Sequence, residues 1–412
     1  MKIRTFQPLI PASNELAQRL TCPPYDVVSK CEAANYIAET SDTFMSVIRP
    51  DATLNDVSPY DDAVYAASKK ALDALRSDSK LVRDSARTLY VYQQTMNEHV
   101  QTGLVTLANV RDYDDGVILK HEKTRKDKED DRTKLTDVLS ANTGPVFLTY
   151  RDDTLIDDII SKSLAQKPLF DVEGKENVKH TVWRVSEADA EQLVRLFDNN
   201  VERAYIADGH HRSASAARVA RNRVATAGEN CTGDEDFSWF LAVLFPQTQL
   251  QILPYNRIIT DLNGHTPAEL LDKLSAAGEV SKMERPQQMP EQAGTFFVYV
   301  GKEWYKLLLR ESSSGSTTIS DSLDCSLLQN QVLQPILDVQ DPRSSKNIEF
   351  VGGIRGLRFL EKRADATNGV AFALHAVTVA QLMQVSDMNE IMPPKSTWFE
   401  PKLRSGFFIH TF

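Results

Sequence analysis

The sequence predicts an α+β fold in which mixed sheets pack against helices. In some segments apolar residues recur at helical spacing, in others they alternate with polar residues, and the two kinds of segment are interleaved along the chain. The sequence lacks the long series of strand–helix–strand units that would indicate a doubly wound parallel sheet. With 412 residues, 42% of them hydrophobic and 25% charged, the chain is long enough for more than one ordinary globular domain.

The N-terminal part of the chain predicts one helix and one hairpin. The first 30 residues are expected to be extended, because Pro23-Pro24 excludes a helix interior. Residues 58–77 have the apolar spacing of a helix. Residues 87–112 alternate in polarity and predict a β-hairpin whose turn, near Asn97, is longer than two residues.

The middle of the chain alternates between helices and strands. The charged segment 120–140 is predicted to be helical from about Lys126. Two strands at 238–245 and 249–258 are predicted to pair as a hairpin that turns at Pro246-Gln247-Thr248. The remaining predicted elements are strands at 146–150, 180–185 and 203–207 and helices at 154–165, 187–197 and 211–224.

A shift in composition near residue 262 divides the chain into three predicted segments. Residues 1–261 are the expected core with an N-terminal extension. Residues 262–322 are a small α+β insert, and residues 323–412 close on the core. The insert is predicted to contain a helix at 266–276, short strands near 279–284, 294–300 and 304–310, and a Ser-rich linker at 312–316.

Charge and composition exclude several classes of partner. A net charge of −10 argues against a surface that coats nucleic acid, since that requires a basic field. No apolar run approaches the ~20 residues of a membrane helix, and the N-terminus lacks a signal-peptide core, so no membrane partner is expected. The four cysteines lack paired metal-ligand spacing and favour a reduced, cytoplasmic setting.

The densest chemistry lies in the block Asp208-Gly209-His210-His211-Arg212. It follows a short apolar run and precedes an Ala-rich segment, which predicts a strand, a turn and a helix N-terminus, where backbone N–H groups and the helix dipole favour an anion. Arginine adds a fork that matches phosphate oxygens, and Asp208 is a candidate Mg²⁺ ligand. The alternative is an N-capping aspartate with histidines in local hydrogen bonds.

A second block, His121-Glu122-Lys123-Thr124, offers a carboxylate as general base or metal ligand. It is not a zinc-protease motif, because the second histidine four residues on is missing. The charged residues that follow, up to residue 134, are equally typical of a solvated helix face.

Three further blocks combine proline-fixed backbone with polar groups that suit a phosphate or a carboxylate, and each also fits an ordinary surface turn. None is a P-loop, a dinucleotide fingerprint or a protein-kinase signature, so nucleotide binding requires an unconventional fold. The blocks are Tyr25-Asp26, Asp341-Pro342-Arg343 with Phe350-Val351-Gly352-Gly353, and Pro394-Lys395-Ser396-Thr397 with Pro401-Lys402.

Taken in order over nearly the whole chain, these five blocks resemble a widespread family known as domain of unknown function ten-fifteen. The Asp208 block also resembles the nucleotide motif of the ParB/sulfiredoxin superfamily, which implies a nucleotide-binding core of that kind within residues 1–261. His210 stands where sulfiredoxin has its reactive cysteine, so sulfinic-acid repair is not implied. The Asp-Gly-His turn is similar to that of the superfamily's free-serine kinases.

The resemblance implies a nucleotide-dependent small-molecule kinase, with free L-serine as the best single acceptor, ATP or ADP as donor and Mg²⁺ as cofactor. The sequence leaves the oligomeric state open, with a homodimer as one alternative. The rival hypotheses are a nucleotide-binding or nucleotide-hydrolysing switch without a small-molecule acceptor, and a structural protein with a vestigial site. The expected site comprises Glu122, His210 and Asp208 as catalytic residues, Asp208 and Glu122 also as metal ligands, Gly209, His211, Arg212 and Ser213 around the nucleotide, and Asp26, His121, Arg343, Lys395, Ser396 and Thr397 around the acceptor.

Overall fold

The protein is α+β with mixed sheets and packed helices, as predicted. The computed structural model describes residues 1–54, 57–174, 177–228, 231–310 and 318–412, so the predicted Ser-rich linker lies outside the described residues. The fold divides into two compact units. Unit 1 comprises Met1–Leu119, Thr124–Leu250 and Pro401–Phe412, and unit 2 comprises Lys120–Lys123 and Gln251–Glu400.

The strands are numbered along the chain. They are β1 (Ile3–Arg4), β2 (Leu9–Pro11), β3 (Leu81–Arg83), β4 (Tyr90–Met96), β5 (His99–Asn109), β6 (Ile118–Leu119), β7 (Ala141–Asn142), β8 (Val146–Tyr150), β9 (Phe170–Glu173), β10 (Val178–Arg184), β11 (Ala204–Asp208), β12 (Trp239–Pro246), β13 (Gln251–Leu253), β14 (Tyr255–Ile259), β15 (Gly278–Met283), β16 (Thr295–Val300), β17 (Glu303–Leu309), β18 (Ile348–Gly352), β19 (Val370–Ala373), β20 (Trp398–Glu400) and β21 (His410–Thr411).

The α-helices are numbered in the same way, and most begin at a Ser, Thr, Asp or Asn whose side chain caps the first turn. They are α1 (Asn14–Leu20), α2 (Lys30–Glu39), α3 (Met45–Ile48), α4 (Asp62–Ser77), α5 (Val110–Asp114), α6 (Lys126–Leu139), α7 (Thr154–Leu164), α8 (Glu187–Asn200), α9 (His210–Ala227), α10 (Pro267–Ala277), α11 (Asp324–Leu328), α12 (Leu357–Thr367) and α13 (Val379–Asp387).

Unit 1 is built on a nine-stranded sheet of order β6-β11-β8-β12-β5-β4-β10-β9, with β1 added beside β5. The pairs β11–β6 and β12–β8 are parallel and the others antiparallel. Apolar side chains of the central strands pack with those of α7, α8 and α9 in one core. This core holds the end of β11 and the start of α9 in place.

Unit 2 is built on a six-stranded antiparallel sheet of order β15-β17-β16-β19-β14-β18, with α12 packed against it. All five residues of β14 are buried. The sheet takes strands from all three predicted segments, 1–261, 262–322 and 323–412, so the compact units differ from those segments.

The predicted hairpin of 238–245 with 249–258 is wrong. Strand β12 pairs with β5 on one side and β8 on the other, while the chain beyond it divides into β13, which pairs with β20, and β14, which joins the sheet of unit 2. Pro254 separates β13 from β14. All eight residues of β12 are buried, which is the pattern of a central strand rather than of one arm of an isolated hairpin.

Two local predictions in the N-terminal part also need correction. The segment predicted to be wholly extended contains α1, which ends before the two prolines and is capped by Ser13. The β4–β5 hairpin has a two-residue turn, because Met96 pairs with His99 and Asn97 adopts a positive φ of 54°. The ladder continues through polar residues beyond the apolar pattern, so the turn is tighter than the sequence indicated.

The other predicted helices and strands of the middle segment are present within a few residues of their expected bounds. The segment after Lys126 is helix α6, and the block at Asp208 is a strand, a turn and a helix. Within the described ranges, no helix is both long and apolar enough to cross a membrane.

Candidate functional site

The turn between β11 and α9, here called the Asp208 turn (residues 208–213), brings the predicted phosphate-binding residues together. Gly209 is the N-cap of α9 and adopts the left-handed region, with φ 96° and ψ 30°. The register of β11 against β8 shifts just before the turn, between Ile206 and Asp208. Because the N-cap is glycine, no side chain caps the first turn of this 18-residue helix.

Arg212 is held against the turn by its neighbours. Its Nη2 donates to Asp208 Oδ2 at 2.5 Å, and its Nη1 donates to the carbonyl oxygen of Pro145. The Arg212 side chain is only 11% exposed. Burial, the largest influence, lowers its pKa, but the charges of Asp208 and Asp26 together raise the pKa above its ordinary value. The guanidinium is therefore a fixed cation beside the N-terminus of α9.

Lys402 is the second cation at this turn. Its Nζ lies 3.8 Å from Asp208 Oδ1, and its side chain is only 12% exposed. Asp208 thus faces two cations, one through each carboxylate oxygen. Lys402 belongs to the fifth block of the sequence, and no role was predicted for it.

The other polar groups of the turn have local partners. His211 Nε2 accepts a hydrogen bond of 3.0 Å from the backbone N–H of Arg125 at the start of α6. The Ser213 hydroxyl is buried and donates to the carbonyl oxygen of His210 at 3.0 Å. His210 is half-buried in the first turn of the helix. The turn therefore combines ligand-type side chains with a packed local structure.

A pocket in unit 1 adjoins Arg212. Tyr25 and Arg132 line it, and the Arg132 guanidinium lies over the Tyr25 ring at 4.3 Å. Burial raises the pKa of the Tyr25 hydroxyl, and the charge of the exposed Asp26 acts in the same direction. Gly144 forms another part of the wall. The predicted Tyr25-Asp26 block thus belongs with the Asp208 turn.

The predicted base, Glu122, lies in unit 2 together with His121. His121 is only 1% exposed, and its Nε2 lies 3.2 Å from Thr397 Oγ1. The backbone carbonyl of His121 accepts a hydrogen bond of 2.8 Å from the N–H of Met392. Glu122 is half-buried and lies within electrostatic range of Arg257. The second and fifth sequence blocks therefore meet in unit 2.

Arg257 is the residue of this cluster that sequence reasoning missed. It stands in the buried strand β14 and is 3% exposed. Its Nη1 donates to the carbonyl oxygen of Tyr255 at 2.6 Å, its Nη2 donates to that of Pro394 at 3.4 Å, and its guanidinium lies over the Phe350 ring at 4.6 Å. The sequence signal that could have identified Arg257 is a cation in a predicted strand that ends in two isoleucines, because charged residues are rarely buried without a partner.

The remaining predicted acceptor residues differ in their surroundings. Ser396 is buried, and its hydroxyl is 2.6 Å from the carbonyl oxygen of Pro393 and 3.1 Å from Cys325 Sγ. Lys395 is exposed, and its Nζ lies 5.8 Å from the centre of the Tyr255 ring. Arg343 is exposed, and its Nε donates to Asp341 on its own loop at 3.1 Å.

The metal prediction has limited support in the geometry. Among the described residues, no group of three or more His, Cys, Asp or Glu side chains is arranged to hold a metal ion. Both oxygens of Asp208 face cations, which compete with a metal for the same lone pairs. The residues at the turn therefore do not form a ready Mg²⁺ cage.

The chain belongs to a family of unknown function. The family model described as Protein of unknown function (DUF1015) matches residues 3–326, which confirms the predicted family. The match contains the blocks at Tyr25, His121 and Asp208 and ends before those at Asp341 and Pro394. No curated protein matches the chain.

Several solved structures show limited similarity. A free serine kinase variant in complex with AMP is 13% identical, with a TM-score of 0.38 over 74% of this chain and 92% of that chain. SbnI from Staphylococcus aureus, truncated at its C-terminus, is 10% identical, with a TM-score of 0.38 over 73% and 85%. A conserved hypothetical protein from Pyrococcus furiosus is 14% identical, with a TM-score of 0.36 over 74% and 94%. Similarity at this level does not show a shared activity.

Proposed function

We propose that the protein is a nucleotide-dependent kinase that phosphorylates the hydroxyl group of a small metabolite, with free L-serine as the first acceptor to test. ATP or ADP is the donor. The acceptor oxygen forms a bond to the terminal phosphorus, the bond from that phosphorus to the rest of the nucleotide breaks, and the hydroxyl proton passes to the carboxylate of Glu122.

The observation that carries this proposal is the Asp208 turn. A helix N-terminus with a glycine N-cap is joined by two largely buried cations, Arg212 and Lys402. Backbone N–H groups, the helix dipole and a guanidinium fork together suit phosphate oxygens. Phosphoryl transfer depends mainly on such positioning and charge neutralisation.

Within the turn, we assign each predicted residue a role. Arg212 and His211 contact phosphate oxygens, and Gly209 allows a phosphate to approach the backbone closely. His210 also contacts phosphate, and Ser213 supports the first turn of the helix. Asp208 sets the position of Arg212, to which it is bonded at 2.5 Å.

In this proposal, Mg²⁺ is bound mainly by the phosphates of the nucleotide. Such an ion neutralises phosphate charge, and it commonly keeps water and phosphate ligands with one or two carboxylates. Asp208 and Glu122 are the proposed protein ligands. Because Asp208 is already engaged by two cations, no step of the reaction is assigned to the ion.

The acceptor half of the proposal rests on the cluster in unit 2. Glu122 supplies the base, and His121, Ser396 and Thr397 offer hydroxyl and imidazole groups for a small polar acceptor. Lys395 and Arg343 are proposed contacts for a carboxylate of the acceptor. Asp26, whose charge acts on Arg212, is a proposed contact for another group of the acceptor.

The test is stoichiometric release of ADP or AMP that depends on serine. Glu122→Gln should abolish turnover and leave nucleotide affinity unchanged, because the amide keeps the shape but cannot take the proton. Arg212→Ala should raise the nucleotide KM by about tenfold or more, the cost of losing charge-assisted hydrogen bonds. Hydrolysis that ignores every hydroxyl compound would instead support a nucleotide switch, and absence of nucleotide binding would contradict both.

A further inference from the structure

Arg257 is a buried cation whose hydrogen-bonding capacity is only partly used. A guanidinium carries five N–H groups, and among the described residues two of them have an acceptor, the carbonyl oxygens of Tyr255 and Pro394. Among those described residues, no carboxylate lies within ion-pair distance of the Arg257 guanidinium. Burying a charge in this way is costly unless a counter-charge is supplied.

The surroundings of Arg257 leave the charge without a strong internal partner. Burial, the largest influence, lowers the pKa of Arg257, and the nearby Cys325, Tyr255 and Glu122 act in the opposite direction without offsetting it. Its guanidinium carbon lies 4.6 Å from the centre of the Phe350 ring, a cation–π contact that helps to fix its position. A planar guanidinium fork with N–H groups beyond the two that meet backbone carbonyls matches a carboxylate ligand.

The location of Arg257 connects it with the acceptor cluster. Its contact with Pro394 leads directly into the block that contains Ser396 and Thr397. His121, which contacts Thr397, is the neighbour in sequence of Glu122. An acceptor whose carboxylate is held at Arg257 therefore presents its remaining groups near the hydroxyls and carboxylate of the same unit.

We propose that Arg257 is the main contact for the carboxylate of the acceptor, in addition to the exposed Lys395 and Arg343, which makes short hydroxy acids, including hydroxy amino acids, the substrate class. The identification of this ligand as the acceptor substrate rests on the proposed function. The anion site itself rests on the buried guanidinium, which has protein acceptors for two of its five N–H groups. Arg257 acts as a binding residue, and Glu122 retains the role of base.

The experiment compares ligands with and without the carboxylate, using full-length protein. Affinities of L-serine, serinamide and ethanolamine are measured by calorimetry in the presence of nucleotide, first with the unmodified protein and then with Arg257→Lys. Lysine keeps the charge but loses the fork. The matched control is Arg285→Lys, since Arg285 already pairs with Glu361 at 2.6 Å.

We expect the unmodified protein to bind L-serine at least about tenfold more tightly than serinamide or ethanolamine. Arg257→Lys should remove most of that preference, with nucleotide affinity and circular dichroism unchanged, and Arg285→Lys should retain it. Equal binding of the three compounds by the unmodified protein would overturn the proposal without any variant, so a failure of Arg257→Lys to fold leaves it falsifiable. An equal loss for all three compounds in Arg257→Lys would also overturn it.

A final arm separates this inference from the kinase proposal. Acetate, lactate and inorganic phosphate are tested for thermal stabilisation, because a ligand of the folded state raises its apparent stability. Stabilisation by the carboxylates that disappears in Arg257→Lys supports the anion site even if no turnover is found. Stabilisation by phosphate alone would contradict the carboxylate assignment and leave the kinase proposal standing.

Discussion

Substitution of Gly209 by alanine tests whether the backbone of the Asp208 turn positions Arg212. At φ 96°, a side chain costs about 1–2 kcal/mol of the free energy of unfolding from backbone strain alone. A Cβ would also lie 3.0 Å from Arg212 Nε and 3.1 Å from Cζ. The guanidinium must therefore shift by a few tenths of an ångström, which weakens its bond to Asp208 and raises the expected loss to about 2–3 kcal/mol.

Gly116→Ala is the matched control for this prediction. Gly116 has a positive φ of 76°, but no atom lies within 4 Å of the position that a Cβ would take. Its substitution should therefore cost only the backbone strain, about 1–2 kcal/mol, and leave nucleotide binding unchanged. The two variants separate strain from displacement of the guanidinium.

Both variants are measured by equilibrium denaturation with urea and by nucleotide titration. For Gly209→Ala we expect a larger fall in the free energy of unfolding than for Gly116→Ala, and a nucleotide affinity reduced about tenfold or more. Equal destabilisation of the two variants, together with unchanged nucleotide affinity in Gly209→Ala, would refute the role assigned to Arg212.

Two further predictions concern charge. Asp208→Asn should lower nucleotide affinity, because Arg212 loses the carboxylate that positions it, and should raise the Mg²⁺ requirement in the turnover assay, because an amide is a weaker metal ligand. An unchanged Mg²⁺ requirement would exclude Asp208 as a metal ligand, and an unchanged nucleotide affinity would contradict its role in positioning Arg212. Burial lowers the pKa of His410 to about 4, so the unfolded state takes up a proton first as the pH falls, and the free energy of unfolding should decrease by up to about 3 kcal/mol between pH 6.5 and 4. Urea denaturation across this range should show a shallower decrease in His410→Gln, and an unchanged slope would contradict the assignment.

Local pattern was sufficient for helix α4, for helices α6 to α10 and for the Asp208 turn. Helical spacing is set by hydrogen bonds four residues apart, so a short window of sequence contains the signal. The start of α9 is also encoded locally, because a glycine between an apolar strand and an Ala-rich segment satisfies the left-handed conformation found there.

Strand pairing could not be predicted in the same way. The arms of the predicted hairpin at 238–258 are adjacent in sequence, yet β12 pairs with β5 and β8, which are distant in sequence, and β14 joins another sheet. The apolar character of β12 indicates burial on both faces but does not specify which strands cover its edges.

The candidate site was predicted as a set of blocks, and the structure divides that set. The blocks at Tyr25 and Asp208 belong to unit 1, whereas those at Glu122 and Ser396 belong to unit 2. Arg257 was not predicted as a site residue because the segment around it was interpreted as one arm of a hairpin, in which a polar pair such as Asn256-Arg257 is unremarkable. The same residue would have been conspicuous as an uncompensated charge had the strand been placed in the interior of a sheet.

If the Asp208 turn binds phosphate as proposed, its charges explain how a single carboxylate can belong to an anion site without repelling the anion. Arg212 and Lys402 carry two positive charges and Asp208 carries one negative charge, so the three side chains retain a net charge of +1 beside the positive end of α9. The carboxylate lowers the cost of burying two cations when no ligand is bound. A phosphate that enters the turn then competes with Asp208 for the same donors. Under the proposed function, phosphate binding would exchange one anionic partner of the two cations for another, and the reverse exchange would allow the product to leave.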